Sequence, residues 1–245
     1  MTTIEREHRF AELANQQPGT LEGLDCPVCQ NRGLFHRVDE HGRRYVEECA
    51  CMARRRIEKA MERSGLSELL TRYTMDSWQA QEPWQAKTAG LVWRYVEKPA
   101  GWFFLSGPPG TGKTHLCTAL CGLLMNQGLA ARYMLWRDVS VQAKACVNDE
   151  AEYQTLIAPL KRARVLYIDD LFKTGKGQQP TTGDLNLAFE LLNARYNDSR
   201  LLTVLSSERS LEEILELDEA IGSRIYERTK GYYVDLRGRQ NWRMR

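Results

Sequence analysis

The sequence has no apolar run approaching the roughly 18 residues that cross a bilayer, so no membrane partner is expected. Its opening, MTTIEREHRFAEL, is charged and lacks the apolar stretch of a secretory signal, which predicts a cytoplasmic protein. An even cysteine count is also missing. Seven cysteines in a reducing compartment argue against a disulfide framework and leave metal binding or core packing as their uses. There is no internal repeat and no low-complexity tract. A strong charge of one sign is absent too: the net charge is +2, so nucleic-acid binding would have to rest on local clusters.

What is present is an ordinary globular composition, 42% hydrophobic and 27% charged, over 245 residues. That length holds one large or two small domains. Between Leu24 and Met52 the cysteines cluster among Gly, Asp and Arg, with little aliphatic content. The pairs CPVC (Cys26, Cys29) and CAC (Cys49, Cys51) offer four thiolates, which suit a tetrahedral structural Zn²⁺ site closed on all four positions. LFHRV and RYVEE read as a hairpin around DEHGR, too small to fold alone without metal. The C-x-C half is tighter than the commoner C-x₂-C, so His36 or His41 stands as an alternative ligand. ARRRIEKAMERSGLSELL reads as a basic helix broken at Ser64-Gly65. Its Arg54, Arg55, Arg56, Lys59 and Arg63 form either a solvated face, the preferred reading, or a surface for nucleic acid or an acidic partner.

Beyond the linker stretches RYTMDSW and QEPWQ, a helix is predicted from Trp84 to Glu97. Apolar strands then alternate with helices: WFFLSG, a helix from Lys113, RYMLW, helices near 139–146 and 152–162, RVLYIDDL, a helix over 184–196, and LLTVLSS. Fully apolar strands in such alternation predict an α/β fold with a parallel sheet covered on both faces. The expected division is a zinc-binding module over 1–75 and an α/β domain over 76–245.

GPPGTGKT matches G-x-x-x-x-G-K-[ST] between a strand and a helix, the setting in which backbone N–H groups converge on phosphates. The expected nucleotide-binding set is Gly107, Pro109, Gly110, Thr111, Gly112, Lys113, Thr114 and the following His115. Lys113 would reach the terminal phosphates of ATP, and Thr114 would ligate Mg²⁺. VLYIDDL ends a buried strand on Asp169 and Asp170. The first is expected to hold Mg²⁺ through water, the second to orient or deprotonate the attacking water. Cys117, Cys121 and Cys146 read as small buried hydrophobes.

Taken in order, CPVC…CAC, RYTMDSW, GPPGTGKTHL, LYIDDL, LNARYNDSR, LLTVLSS and IGSRIYERTKG resemble the helicase loaders of the DnaC/DnaI type. These are a branch of the AAA+ ATPases, and the likeness is to phage-like members with an N-terminal zinc module. The resemblance implies an AAA+ core with a minimal lid, since the stretch after Arg228 is too short for the full helical lid. It implies a weak ATPase that uses ATP as a switch while loading the replicative DNA helicase onto single-stranded DNA at initiation. The zinc module would engage the hexameric helicase, with self-association or assembly templated by it. By the same resemblance Arg228 falls on the arginine-finger position, Arg224 beside it, and Arg243 on the second sensor. Ser207 falls on the first sensor, where Asn or Thr is more usual. Asp170 stands where many AAA+ enzymes carry Glu. On the residues alone, the preferred reading of GSRIYER is a helix with Arg224 and Arg228 on a solvated face. The alternatives in function are an IstB-like ATPase assisting a transposase, a small-molecule kinase, and a nucleotide-gated adaptor with little hydrolysis.

Overall fold

The computed structural model describes residues 2–244, and the chain divides into two compact units that meet at Lys59 and Ala60. The first unit opens with α1 (Thr3–Gln16), started by a capping box in which Thr2 and Glu5 satisfy each other's backbone N–H groups. A two-stranded antiparallel sheet follows, β1 (Leu34–Val38) against β2 (Arg44–Glu48), with α1 packed on β1. The hairpin read from LFHRV and RYVEE therefore forms. Among the described residues, the four cysteines form the buried centre of this unit, with Leu24, Phe35 and Met52 packed against them.

Helix α2 (Cys51–Ser64) carries the basic run. It stops at Gly65, which adopts a left-handed φ of +77°, and α3 (Ser67–Arg72) resumes. Three arginines of that run, Arg54 to Arg56, are engaged locally. Arg54 pairs with Glu58 and Arg56 with Glu48. Arg55 is buried and donates to the carbonyls of Glu22 and Leu24 and to Asn31 Oδ1.

The second unit is built on a five-stranded parallel sheet in the order β4-β5-β6-β3-β7. Its elements are α4 (Pro83–Glu97), β3 (Trp102–Ser106), α5 (Lys113–Asn126), β4 (Ala131–Leu135), α6 (Trp136–Ala145), α7 (Glu150–Arg162) and β5 (Val165–Asp169). After them come α8 (Thr182–Tyr196), β6 (Leu202–Ser207), α9 (Leu211–Leu217), α10 (Glu219–Arg228) and β7 (Tyr233–Asp235). Strand alternation sorts the core into two layers. Phe103, Leu105, Val165, Tyr167 and Val204 face one layer with α4 and α5, while Phe104, Leu166, Ile168 and Leu205 face the other with α8 to α10. Each of these fully buried side chains contributes roughly 1.5–3 kcal/mol. Cys117, Cys121 and Cys146 are buried core residues.

Arg195 is fully buried, and no carboxylate among the described residues pairs with it. Its guanidinium donates to the carbonyls of Leu160, Ala163 and Leu202 and to Thr203 Oγ1, closing the end of α7 and the entries of β5 and β6. Burial lowers its pKa to about 9. One boundary and two elements differ from expectation. Trp136 begins α6 instead of ending β4, and α9 and β7 are present where no element was expected. No helix among the described residues is long and apolar enough to cross a membrane.

Candidate nucleotide site and candidate metal centre

All five strands run the same way, so β3 and β5 deliver their C-terminal ends to one edge of the sheet, where ligands of open α/β folds bind. The P-loop leaves β3 at Gly107 and enters α5 at Lys113. Gly110 and Gly112 adopt φ of +78° and +86°, and a Cβ on either would strike Asn241 or the Trp78 ring. Lys113 is buried, and its ammonium donates to the carbonyls of Gly107 (2.7 Å) and Pro108 (2.9 Å). Burial lowers its pKa, against the opposing pull of Asp170, Glu208 and Asp169. Thr111 donates to Pro108 O and holds the loop's turn.

Asp169 is the centre of a hydroxyl cluster. Thr114 Oγ1 lies 3.4 Å from its Oδ1, Tyr133 donates to Oδ2 at 3.2 Å, and Ser206 donates to Oδ1. Ser206 Oγ also accepts from the Asp170 N–H at 3.0 Å. Asp170 takes a left-handed φ of +54°, which Asp tolerates better than most residues, and it lines the cavity. Burial raises its pKa, and the neighbouring Asp169 charge adds to the effect. The chemistry of this donor set fits Mg²⁺: Thr114 and Asp169 would hold the ion, which would supply positive charge to phosphate oxygens.

The cavity above the P-loop measures about 440 Å³. Pro109, Gly110, Thr111, Gly112, Lys113, Thr114, His115, Asp170 and Arg243 all line it. Its remaining wall comes from residues that motif reading missed. Tyr73, Trp78 and Gln81 enter from the linker, Gln85 from the first turn of α4, Glu208 from just past β6, and Trp242 from a short 3₁₀ turn, its N–H donating to Gly110 O. The His115 ring packs on Tyr73 and Trp78, and its Nε2 lies 2.8 Å from Thr74 O, so it fastens the linker to α5.

Ser207 points elsewhere. Its hydroxyl donates to Leu171 O and accepts from Arg209 N–H, while Ser206 and Glu208 reach the site on either side of it. Adjacent strand residues face opposite ways, so the hydroxyl of Ser206, not that of Ser207, is directed at Asp169. Arg228 ends α10 with its guanidinium 6.0 Å from the Trp102 ring. Trp102 opens β3, and the P-loop follows the strand's other end about 13 Å away, four steps of ~3.3 Å.

In the first unit the sulfurs of Cys26, Cys29, Cys49 and Cys51 all lie within 4.8 Å of one another. Two measured separations are 3.9 Å (Cys26–Cys49) and 3.6 Å (Cys29–Cys51). A tetrahedron with Zn–S near 2.3 Å has edges of about 3.8 Å, so the donor set fits zinc. Gly33 N–H donates to Cys29 Sγ at 3.3 Å, an outer contact of the kind that orients metal ligands. Neither histidine joins: His36 packs on Phe10, and His41 lies beside Glu40.

A family model described as "IstB-like ATP binding protein" matches residues 42–229. The chain belongs to the IstB/DnaC-type AAA+ family. Family relatives include the phage-like element PBSX protein XkdC of Bacillus subtilis, 30% identical over 87% of this chain and 83% of that protein. The replicative helicase loader DnaC of Escherichia coli is 24% identical over 71% of this chain and 70% of its own. The crystal structure of a DnaC helicase loader superposes with a TM-score of 0.56 at 17% identity, covering 67% of this chain and 96% of that one. That likeness extends to the AAA+ fold, and the family membership makes this an ATP-binding protein.

Proposed function

We propose that this chain is an ATP-dependent loader of a replicative DNA helicase onto single-stranded DNA, a weak ATPase that uses ATP with Mg²⁺ as an assembly switch. The observation that carries the reading is the separation of Arg228 from its own P-loop by the length of β3. A finger on the far side of the domain serves a neighbour's nucleotide, so the complete site forms between subunits, by self-association or on the helicase. In this reading Lys113 binds the terminal phosphates, Thr114 and Asp169 hold Mg²⁺, and Asp170 orients water. Arg243 contacts phosphate from the chain's own tail, and Arg228 stabilises transition-state charge in trans. Ser206 and Glu208 take the polar positions that Ser207 was expected to fill. Asp170 is one methylene shorter than Glu, which supports slow hydrolysis. The cysteine unit, stabilised by Zn²⁺, is the part that engages the helicase. The match to a replicative helicase loader across 71% of the chain supports the same reading.

The family model's own description favours a second reading, an ATPase assisting a transposase. Co-purification with the host's replicative helicase in ATP and in ADP separates the two. A nucleotide-dependent complex, lost in Lys113→Ala, is expected. Equal recovery in both nucleotides, or none, would refute helicase loading.

A further inference from the structure

The open edge of β7 and the face of α4 beside it enclose a second cavity of about 520 Å³, separate from the nucleotide site. Three cations line it, Lys87 and Arg94 from α4 and Arg239 from beyond β7. None of them pairs with a carboxylate among the described residues. The one acidic residue in the groove, Asp235, is already bound by the Arg237 guanidinium. The cations lie over aromatic rings: Arg239 is 5.6 Å from the Trp84 centroid, and Arg94 is 5.6 Å from that of Tyr232.

Gly90 provides an independent observation. It sits inside α4, where glycine is destabilising relative to alanine. Its φ is not in the positive range, and a Cβ built on it meets nothing within 4 Å. Neither the helix nor its packing requires glycine there. The side chain it omits would project into open space at the groove.

We infer that this groove holds the sugar-phosphate backbone of single-stranded nucleic acid, with Lys87, Arg94 and Arg239 on phosphates and Trp84 beside a base. Lys87 and Arg94 are seven residues apart on one helix, about 10 Å along its axis, so the cations follow a linear path. Cations interleaved with aromatic rings are the recognition chemistry of single strands. An extended acidic peptide could also use a sheet edge, but β7 is only three residues long and offers little ladder. The inference rests on the reading of the chain as a single-strand DNA partner, and it locates the strand.

The test is fluorescence anisotropy of the full chain with labelled oligo(dT) of about 20 nucleotides, longer than the 4–16 that one module covers. Gly90→Glu puts bulk and negative charge into the groove without touching the core. It should weaken binding roughly tenfold, the scale of one lost contact, while ATP affinity stays unchanged. Lys87→Gln with Arg94→Gln should reduce the salt dependence of log K by about 1.4, at ~0.7 per phosphate contact. Undiminished oligo(dT) binding in these variants would overturn the groove assignment. So would a wild-type chain that binds no oligo(dT), even where nucleotide-dependent helicase co-purification upholds the loader reading. Binding of poly-glutamate in place of oligo(dT), abolished by the same variants, would make the groove a peptide site and overturn the inference.

Discussion

Arg224 and Arg228 stand one turn apart on α10 and have opposite surroundings. The Arg224 guanidinium donates to Asn193 Oδ1 and Ala220 O and packs on Phe189 and Tyr196, all within the chain. Two guanidinium nitrogens of Arg228, Nε and one terminal nitrogen, are buried with no hydrogen-bond partner among the described residues. Arg224 is thus tied into the fold by hydrogen bonds, while Arg228 has two buried donors that no described residue satisfies. Arg228→Ala should leave ATP affinity of the isolated chain intact. Hydrolysis stimulated by assembly should fall by about 10³-fold or more. Arg224→Ala should instead lower stability by about 1 kcal/mol, read by thermal melting. Normal stimulated rates in Arg228→Ala would return that residue to the role of a surface charge.

Ser206 binds the Asp169 carboxylate and the Asp170 backbone with one hydroxyl, so it sets both acidic residues at once. Ser206→Ala should reduce Mg²⁺-dependent hydrolysis by roughly 10–100-fold, the usual effect of losing an outer partner of a metal ligand. Ser206→Thr should recover part of the rate. An alanine variant as fast as wild type would show that the contact is incidental.

Burial raises the pKa of Asp170, so it takes up a proton at higher pH than an ordinary carboxylate. If hydrolysis needs the ionised form, the rate is full above that raised pKa and falls as pH drops through it. The acid limb should therefore lie above the usual value of about 3.9. In Asp170→Asn the residual rate should lose this limb. A limb that persists in the variant would assign it to another group.

Among the described residues, the buried cluster of the cysteine unit consists of its four thiols with three flanking apolar residues. Purified protein should carry one zinc per chain, and a strong chelator should unfold the hairpin, seen as collapsed amide dispersion for residues 24–52. The P-loop unit has its own two-layered core, and its ATP affinity should survive the chelator. Metal-free protein with an intact hairpin would remove zinc from the account.

Much of this was legible in the chain itself. The P-loop, the β5 terminus and the cysteine pairs are contiguous signals, and each reads at the length over which it acts. LFHRV and RYVEE paired as expected because their turn is local. The two missed elements differ in cause. β7 is three residues with no apolar alternation of its own, and it forms only as a partner of β3. α9 did carry a sequence signal, the capping box of Ser210 and Glu213.

The sequence by itself determined the phosphate loop, the acidic strand end, the thiol donor set and the parallel α/β plan. Periodicity, turn chemistry and donor identity are local properties, and a one-dimensional string preserves them. Tertiary structure alone decided which hydroxyl holds Asp169, which arginine is left with unpaired donors, and that Trp78 and Trp242 line the cavity above the P-loop. It also converted Arg55 from an expected surface charge into a buried tie between loops, and it buried Arg195 against the ends of α7, β5 and β6. Those outcomes turn on which way a side chain faces and what a distant segment brings to meet it, and both are fixed only when the chain closes on itself.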